Sequence, residues 1–108
     1  MVTKVKSLLI DNGILIITVP PLKHNIVGGH VTLWNMGLLL YNLVLAGFDC
    51  SQAKCKKYGY NISVIVRNRT TNLPSDLHMD CGDLEKLSNY FPCEFGQNID
   101  GNMVSINW

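Results

Sequence analysis

The chain has 108 residues, 47% of them hydrophobic and 16% charged, with 9 basic side chains against 8 acidic ones. This composition suits one packed domain and excludes a disordered chain. A formal net charge of +1 provides no broad field to hold nucleic acid or an anionic membrane.

At the start of the chain, Val2, Val5, Leu8 and Leu9 recur at helical spacing with Lys4, Lys6 and Ser7 off that face. A helix is expected over residues 2–10, stopped by Asn12-Gly13, which tolerate the left-handed backbone. The two lysines ahead of apolar residues imitate a signal peptide, but no small-residue cleavage site follows. The next six residues, Ile14 to Val19, are aliphatic except for Thr18. A run this apolar suits a strand covered on both faces, as in a parallel sheet. Pro20 and Pro21 cannot donate ladder hydrogen bonds and should end it.

Gly28-Gly29 lies in the loop that follows, where the backbone can turn freely or approach a ligand. Asn35 is placed to cap a helix running to Ala46, with Gly47-Phe48 as its stop. Only Asn42 interrupts the apolar run from Leu38 to Ala46, so burial on more than one side is expected. The run is too short to span a bilayer, which takes about 20 residues. A soluble, cytoplasmic protein is expected.

Residues 52–57 and 60–67 read as two strands joined tightly at Tyr58-Gly59. In the first, Ala53 and Cys55 alternate with Lys54 and Lys56, and the outward lysines suit a sheet edge. The second places Ile62, Val64 and Val66 on one face. A last helix is expected over residues 80–90, with Leu84, Leu87 and Phe91 on one face and Pro92 as its stop. Asp100-Gly101 signals a turn in the tail, which ends apolar at Ile106 and Trp108. The helical crossover makes the first two strands parallel, and the hairpin makes the third antiparallel.

The four cysteines, Cys50, Cys55, Cys81 and Cys93, contain no C-x-x-C pair and read as reduced structural thiols. Cys81 and His78 offer two zinc ligands where a closed site needs four. No metal is expected. Nucleophile-elbow and paired-carboxylate patterns near a histidine are absent, which sets a small hydrolase aside.

Three stretches, in this order, resemble the C-terminal half of class I S-adenosylmethionine-dependent methyltransferases. "LLIDNGILIITVP" is similar to the family's helix, glycine turn and fifth strand, with Asp11-Asn12-Gly13 where Pro-Gly-Gly is usual. "HVTLWNMGLLLYNLVLAGF" is similar to its loop histidine and the helix before strand six. "KKYGYNISVIVRN" is similar to its six–seven hairpin, whose last strand lies antiparallel between strands five and six. The tail, from "DLEKLSNYFP" through "INW", resembles more faintly small bacterial enzymes that modify saccharides. The resemblance thus implies an α/β, Rossmann-like half-sheet over residues 2–68 with an extension over 69–108, all in one partial domain.

By the same resemblance, Pro20 and Pro21 would lie beside the methionine end of S-adenosylmethionine. His30 would be the general base for a hydroxyl acceptor. In its loop His24 is a weaker candidate, and Trp34 could stack on a sugar face. Each has a plainer reading: strand terminators for the prolines, a loop brace for His30, a helix anchor for Trp34. Lys54, Lys56, Lys57, Arg67 and Arg69 could grip a phosphate-bearing acceptor or simply be solvated. The family's glycine-rich cofactor turn does not occur among these residues. Two functional classes are therefore carried forward. One is the acceptor-side portion of a methyltransferase completed by a complementary N-terminal half. The other is a non-catalytic interaction or dimerisation module, with a homodimer expected.

Overall fold

The computed structural model describes residues 2–20, 28, 32, 34–59, 61–69, 71–80, 82–93 and 104–108. Helix α1 spans Val2–Leu8, strand β1 Ile14–Val19 and helix α2 Met36–Leu45. Strands β2 (Lys54–Tyr58) and β3 (Asn61–Arg67) follow, then a one-turn helix α3 (Asp83–Lys86) and a 3₁₀ turn (Ser88–Tyr90). A short strand β4, Ser105–Ile106, completes a sheet of order β1-β3-β2-β4.

Strand β3 is the centre of this sheet. It pairs antiparallel with β1, matching Ile14 to Arg67 and Val19 to Ile62, and antiparallel with β2 from Lys54↔Ile65 to Tyr58↔Asn61. β1 and β2 therefore run in the same direction without touching, and the last hairpin strand lies between them. The hairpin turns at Gly59, whose φ of +51° is a left-handed conformation that suits glycine.

Alternation sorts the strands into two faces. Leu15 and Ile17 of β1, Ile62, Val64 and Val66 of β3, Cys55 of β2 and Ile106 of β4 turn toward α2. There they meet Met36, Leu39, Leu40, Leu43 and Val44, a stripe spaced i, i+3, i+4, i+7, i+8. The other face carries Ile14, Ile16 and Thr18, then Ser63, Ile65 and Arg67, then Lys54, Lys56 and Tyr58. Among the described residues no helix covers it, and Ile16 is 65% exposed. None of the helices in this described set is long and apolar enough to cross a membrane.

Helix α2 is fixed at both ends by the chemistry expected of it. The Asn35 side chain accepts from the Leu38 N–H at 2.7 Å. At the far end Gly47 adopts φ +101°, the Gly47 N–H donates to Val44 O, and the Phe48 N–H donates to Leu43 O. That pair of bonds is the Schellman arrangement, and it drives the Phe48 ring into the core.

The Asn68 side chain ties the end of α1 to the end of β3. Asn68 donates from Nδ2 to Leu9 O (3.1 Å) and to Ile10 O (3.2 Å), the latter also accepting from the Gly13 N–H. Its Oδ1 accepts from Lys6 Nζ, and its backbone bonds Asn12 and Gly13. The 62-residue separation in sequence is thus closed by a single asparagine.

Several expectations need correction. β1 is not covered on both faces; with one neighbour among the described residues it is an edge, and Ile14, Ile16 and Thr18 lie on its exposed face. β2 is not an edge, because β4 pairs outside it through Cys55↔Ile106 and Lys56↔Ser105. α2 buries one stripe fully, while Leu38 stays 42% exposed. Leu8, expected on the buried face of α1, is 75% exposed because the helix ends there and Leu9 turns inward instead. The expected helix over 80–90 is one turn of α-helix and a 3₁₀ turn, with Leu87 and Phe91 buried and Leu84 half-buried.

The helix starts at Asp83 and not at residue 80, and the Asp83 side chain is fully buried. Its carboxylate accepts from the His78 N–H (3.0 Å) and the Met79 N–H (2.8 Å), fastening the preceding loop, in which Met79 has φ +60°. The bond from His78 is the chief cause of a carboxyl held below the usual range, aided by Met79 and Lys86 and opposed by burial. A depressed folded pKa gives stability that is fully present above the unfolded value, about 3.9, and lost as pH falls through the folded one. The urea midpoint of the protein should therefore decline below about pH 4. In Asp83→Asn that decline should be shallower, from a lower plateau at neutral pH; parallel curves would show that Asp83 is not the group that titrates.

Candidate functional site

In open α/β sheets ligands sit outside the carboxyl ends of the parallel strands. Here those ends are Val19 of β1 and Tyr58 of β2, with the start of β3 between them. Among the described residues, a chain of hydroxyls lies there. Ser63, 2% exposed, meets Thr18 Oγ1 at 2.8 Å and Tyr58 OH at 2.9 Å, so three strands are linked through one oxygen. Its residues are apolar-strand neighbours on the uncovered face, and sequence reading did not single them out. The signal available was the cross-strand placement of Thr18 opposite Ser63. Among the described residues no base or carboxylate is hydrogen-bonded to these three hydroxyls, which donate and accept among themselves.

Of the residues nominated from sequence, Pro20 follows β1 directly and is half-buried. Pro21, His24 and His30 lie outside the described residues. Trp34 packs against the core cluster at the head of α2, and its Nε1 donates to Thr32 Oγ1 at 2.8 Å. The indole edge is thereby held at the loop–helix junction. Among the described residues no group of three or more His, Cys, Asp or Glu side chains could hold a metal ion.

A second region lies at the opposite end of the strands. A cleft of about 240 Å³ opens on the uncovered face where β1 and β2 begin and β3 ends. Ile14 and Ile65 line it together with Lys54, Arg67, Arg69 and Asp49. The basic residues read from sequence as one group are thus divided. Lys54, Arg67 and Arg69 converge on the cleft, whereas Lys57 alternates to the α2 side of the sheet and Lys56 lies further along β2. A methyltransferase-type ligand would sit at the other end, so this cleft is not that site.

Cys50, Cys55 and Cys93 are free thiols, the first two fully buried. Burial, with Cys93 nearby, pushes the Cys55 thiol up to about 12. Burial also raises Cys50, aided by Cys55 and Asp49, and raises Cys93. Neutral, enclosed thiols are poor nucleophiles. In native protein at pH 8, maleimide followed by peptide mass spectrometry should label Cys93 before Cys50 and Cys55. The latter two should react only at the rate of unfolding; prompt modification of Cys55 would mean that β2 opens without it.

No protein-family model, curated protein or solved structure matches this chain.

Proposed function

We propose that the chain is the acceptor-side portion of a class I S-adenosylmethionine-dependent methyltransferase, completed along β1 by strands that carry the cofactor turn. The observation that supports this reading is the sheet order. A hairpin strand inserted antiparallel between two strands that run the same way, the first two joined through a helix, is the arrangement the sequence resemblance implied. Among the described residues nothing pairs with the outer edge of β1, and further parallel strands would add there. In this reading S-adenosylmethionine would meet the chain at Thr18, Val19, Pro20 and Pro21. Acceptor contacts would fall on His24, His30 and Trp34, with His30 as base toward a saccharide hydroxyl. Methyl transfer asks of the protein mainly in-line positioning and, for a hydroxyl acceptor, removal of its proton.

Titration with S-adenosylhomocysteine tests it, followed by amide shifts in NMR. The half-site should bind weakly, in the millimolar range, with the largest shifts at Thr18 and Val19. Unshifted β1 amides at millimolar ligand would overturn the reading.

The β1 edge, unpaired among the described residues, favours a second reading, a non-catalytic dimerisation module. From Ile14 to Val19 the strand carries no charge, proline or bulge to discourage pairing. Its partner in that case is a second copy, since two such edges meet with no like charges opposed.

A further inference from the structure

The cleft at the start of β1 and β2 is the feature that neither reading uses. Its charges are set there by the sheet itself. Lys54 stands opposite Ile65, and Arg67 opposite Ile14, so both cations project from the same face as the two isoleucines. A diagonal cross-strand separation of this kind is roughly 7–8 Å, close enough for two cations to reach one anion. Arg69 follows two residues later, its N–H bonded to Arg67 O at 3.0 Å, which keeps it beside the cleft.

Three cations gathered on one small cleft repel one another unless an anion joins them. Among the described residues, the single ion pair is Lys86 with Asp76, far from this group in sequence. Lys54 and Arg69 make no side-chain hydrogen bond in that set, and Arg67 makes only a long one, 3.3 Å to Asn12 O. Asp49 is the one acid among the described residues that line the cleft. Its Oδ1 is engaged by the Ser51 N–H at 3.0 Å, which fixes the carboxylate and leaves Oδ2 to accept from a hydroxyl. Gln52 adds an amide that both donates and accepts.

We propose that this cleft binds a phosphomonoester of a small polyhydroxylated molecule. The phosphate is held by Lys54, Arg67 and Arg69, and the hydroxyls by Asp49 and Gln52, over Ile14 and Ile65. Planar guanidinium groups match phosphate oxygens in a way that a lone carboxylate ligand would use less fully. The volume lies below the roughly 300–1,000 Å³ of drug-sized pockets, which suits one phosphorylated ring. A fully anionic ligand would be opposed by Asp49; a hydroxyl-bearing one uses it.

The test is calorimetric titration of the full chain with glucose 6-phosphate, inorganic phosphate and glucose, and co-sedimentation with phosphatidylcholine vesicles containing phosphatidic acid. Glucose 6-phosphate should bind at least about tenfold more tightly than inorganic phosphate, glucose should give no heat, and vesicles should not sediment the protein. Lys54→Gln/Arg69→Gln changes two exposed side chains without partners in the described structure, so circular dichroism and the urea midpoint should stay as in the parent. Its affinity for glucose 6-phosphate should fall at least about tenfold. Unchanged affinity in the folded double variant would overturn the assignment. Absence of binding to both phosphates, or sedimentation with vesicles in place of sugar phosphate binding, would do the same. None of these outcomes touches β1's carboxyl end, so the methyltransferase reading stands or falls separately.

Discussion

Phe48→Ala should remove a large part of the protein's stability. The ring is fully buried, and it sits where α2 ends, β2 is about to begin and α1 returns. Lys6 Nζ lies 4.8 Å from its centroid, so the same ring also holds α1. Truncating a buried phenylalanine costs about 3–5 kcal/mol through lost transfer energy and the cavity left behind. Domains have about 5–15 kcal/mol in total, so the loss is a fifth or more of what holds the chain folded. With a urea dependence of roughly 1–3 kcal/mol per molar for small proteins, the midpoint should fall by about 2 M. Leu38→Ala on the same helix is the control. Its side chain is 42% exposed, and its effect should stay below about 1 kcal/mol. A Phe48→Ala midpoint within about 0.5 M of the parent would mean that the α2–sheet layer does not depend on this ring.

The lysine at that ring contributes less. Lys6→Ala loses a partly solvated cation–π contact worth about 0.5–1 kcal/mol, together with the hydrogen bond to Asn68. The contrast between the two substitutions follows from burial alone.

What could be read from the sequence was local. Asn35 as cap and Gly47-Phe48 as stop depend on residues three to five positions apart, and both ends of α2 fall within a residue of expectation. β1 fell where two prolines required it to end, and Ile62, Val64 and Val66 turned inward because a strand alternates. What could not be read was pairing between distant segments. β4 reaches β2 across almost half the chain, and nothing in "SI" announces it. The apolarity of Ile14 to Val19 fits two-sided burial, yet the same composition serves an edge that leaves Ile16 in solvent. Asp83 was hidden for a related reason: its partners are backbone N–H groups four and five residues back, and any sequence supplies those. The cleft shows the same limit. Lys54, Arg67 and Arg69 were visible as a group, but only the register of β2 against β3 separates them from Lys56 and Lys57.

Ile16→Lys should decide what the edge of β1 is for. If β1 edges join two copies, the parent protein should sediment as a dimer at equilibrium, and the variant as a monomer. Ile16 points away from α2 and is already 65% exposed, so its replacement should change stability by no more than about 0.5 kcal/mol. Pairing is another matter. A lysine in the middle of an edge strand must be desolvated or displaced when a second strand approaches, and in a twofold arrangement both copies bring one. Two unit charges about 5 Å apart repel by roughly 3 kcal/mol at an effective dielectric of 20, which is a factor of about 100 in the dimer constant. The matched change on β3, Arg67→Ala, leaves that edge uncharged and should leave the dimer intact. A parent protein that sediments as a monomer at high concentration would remove the dimerisation reading, and with it the reason for this strand to remain uncharged. A dimer that survives Ile16→Lys would place the contact elsewhere, on a surface other than β1.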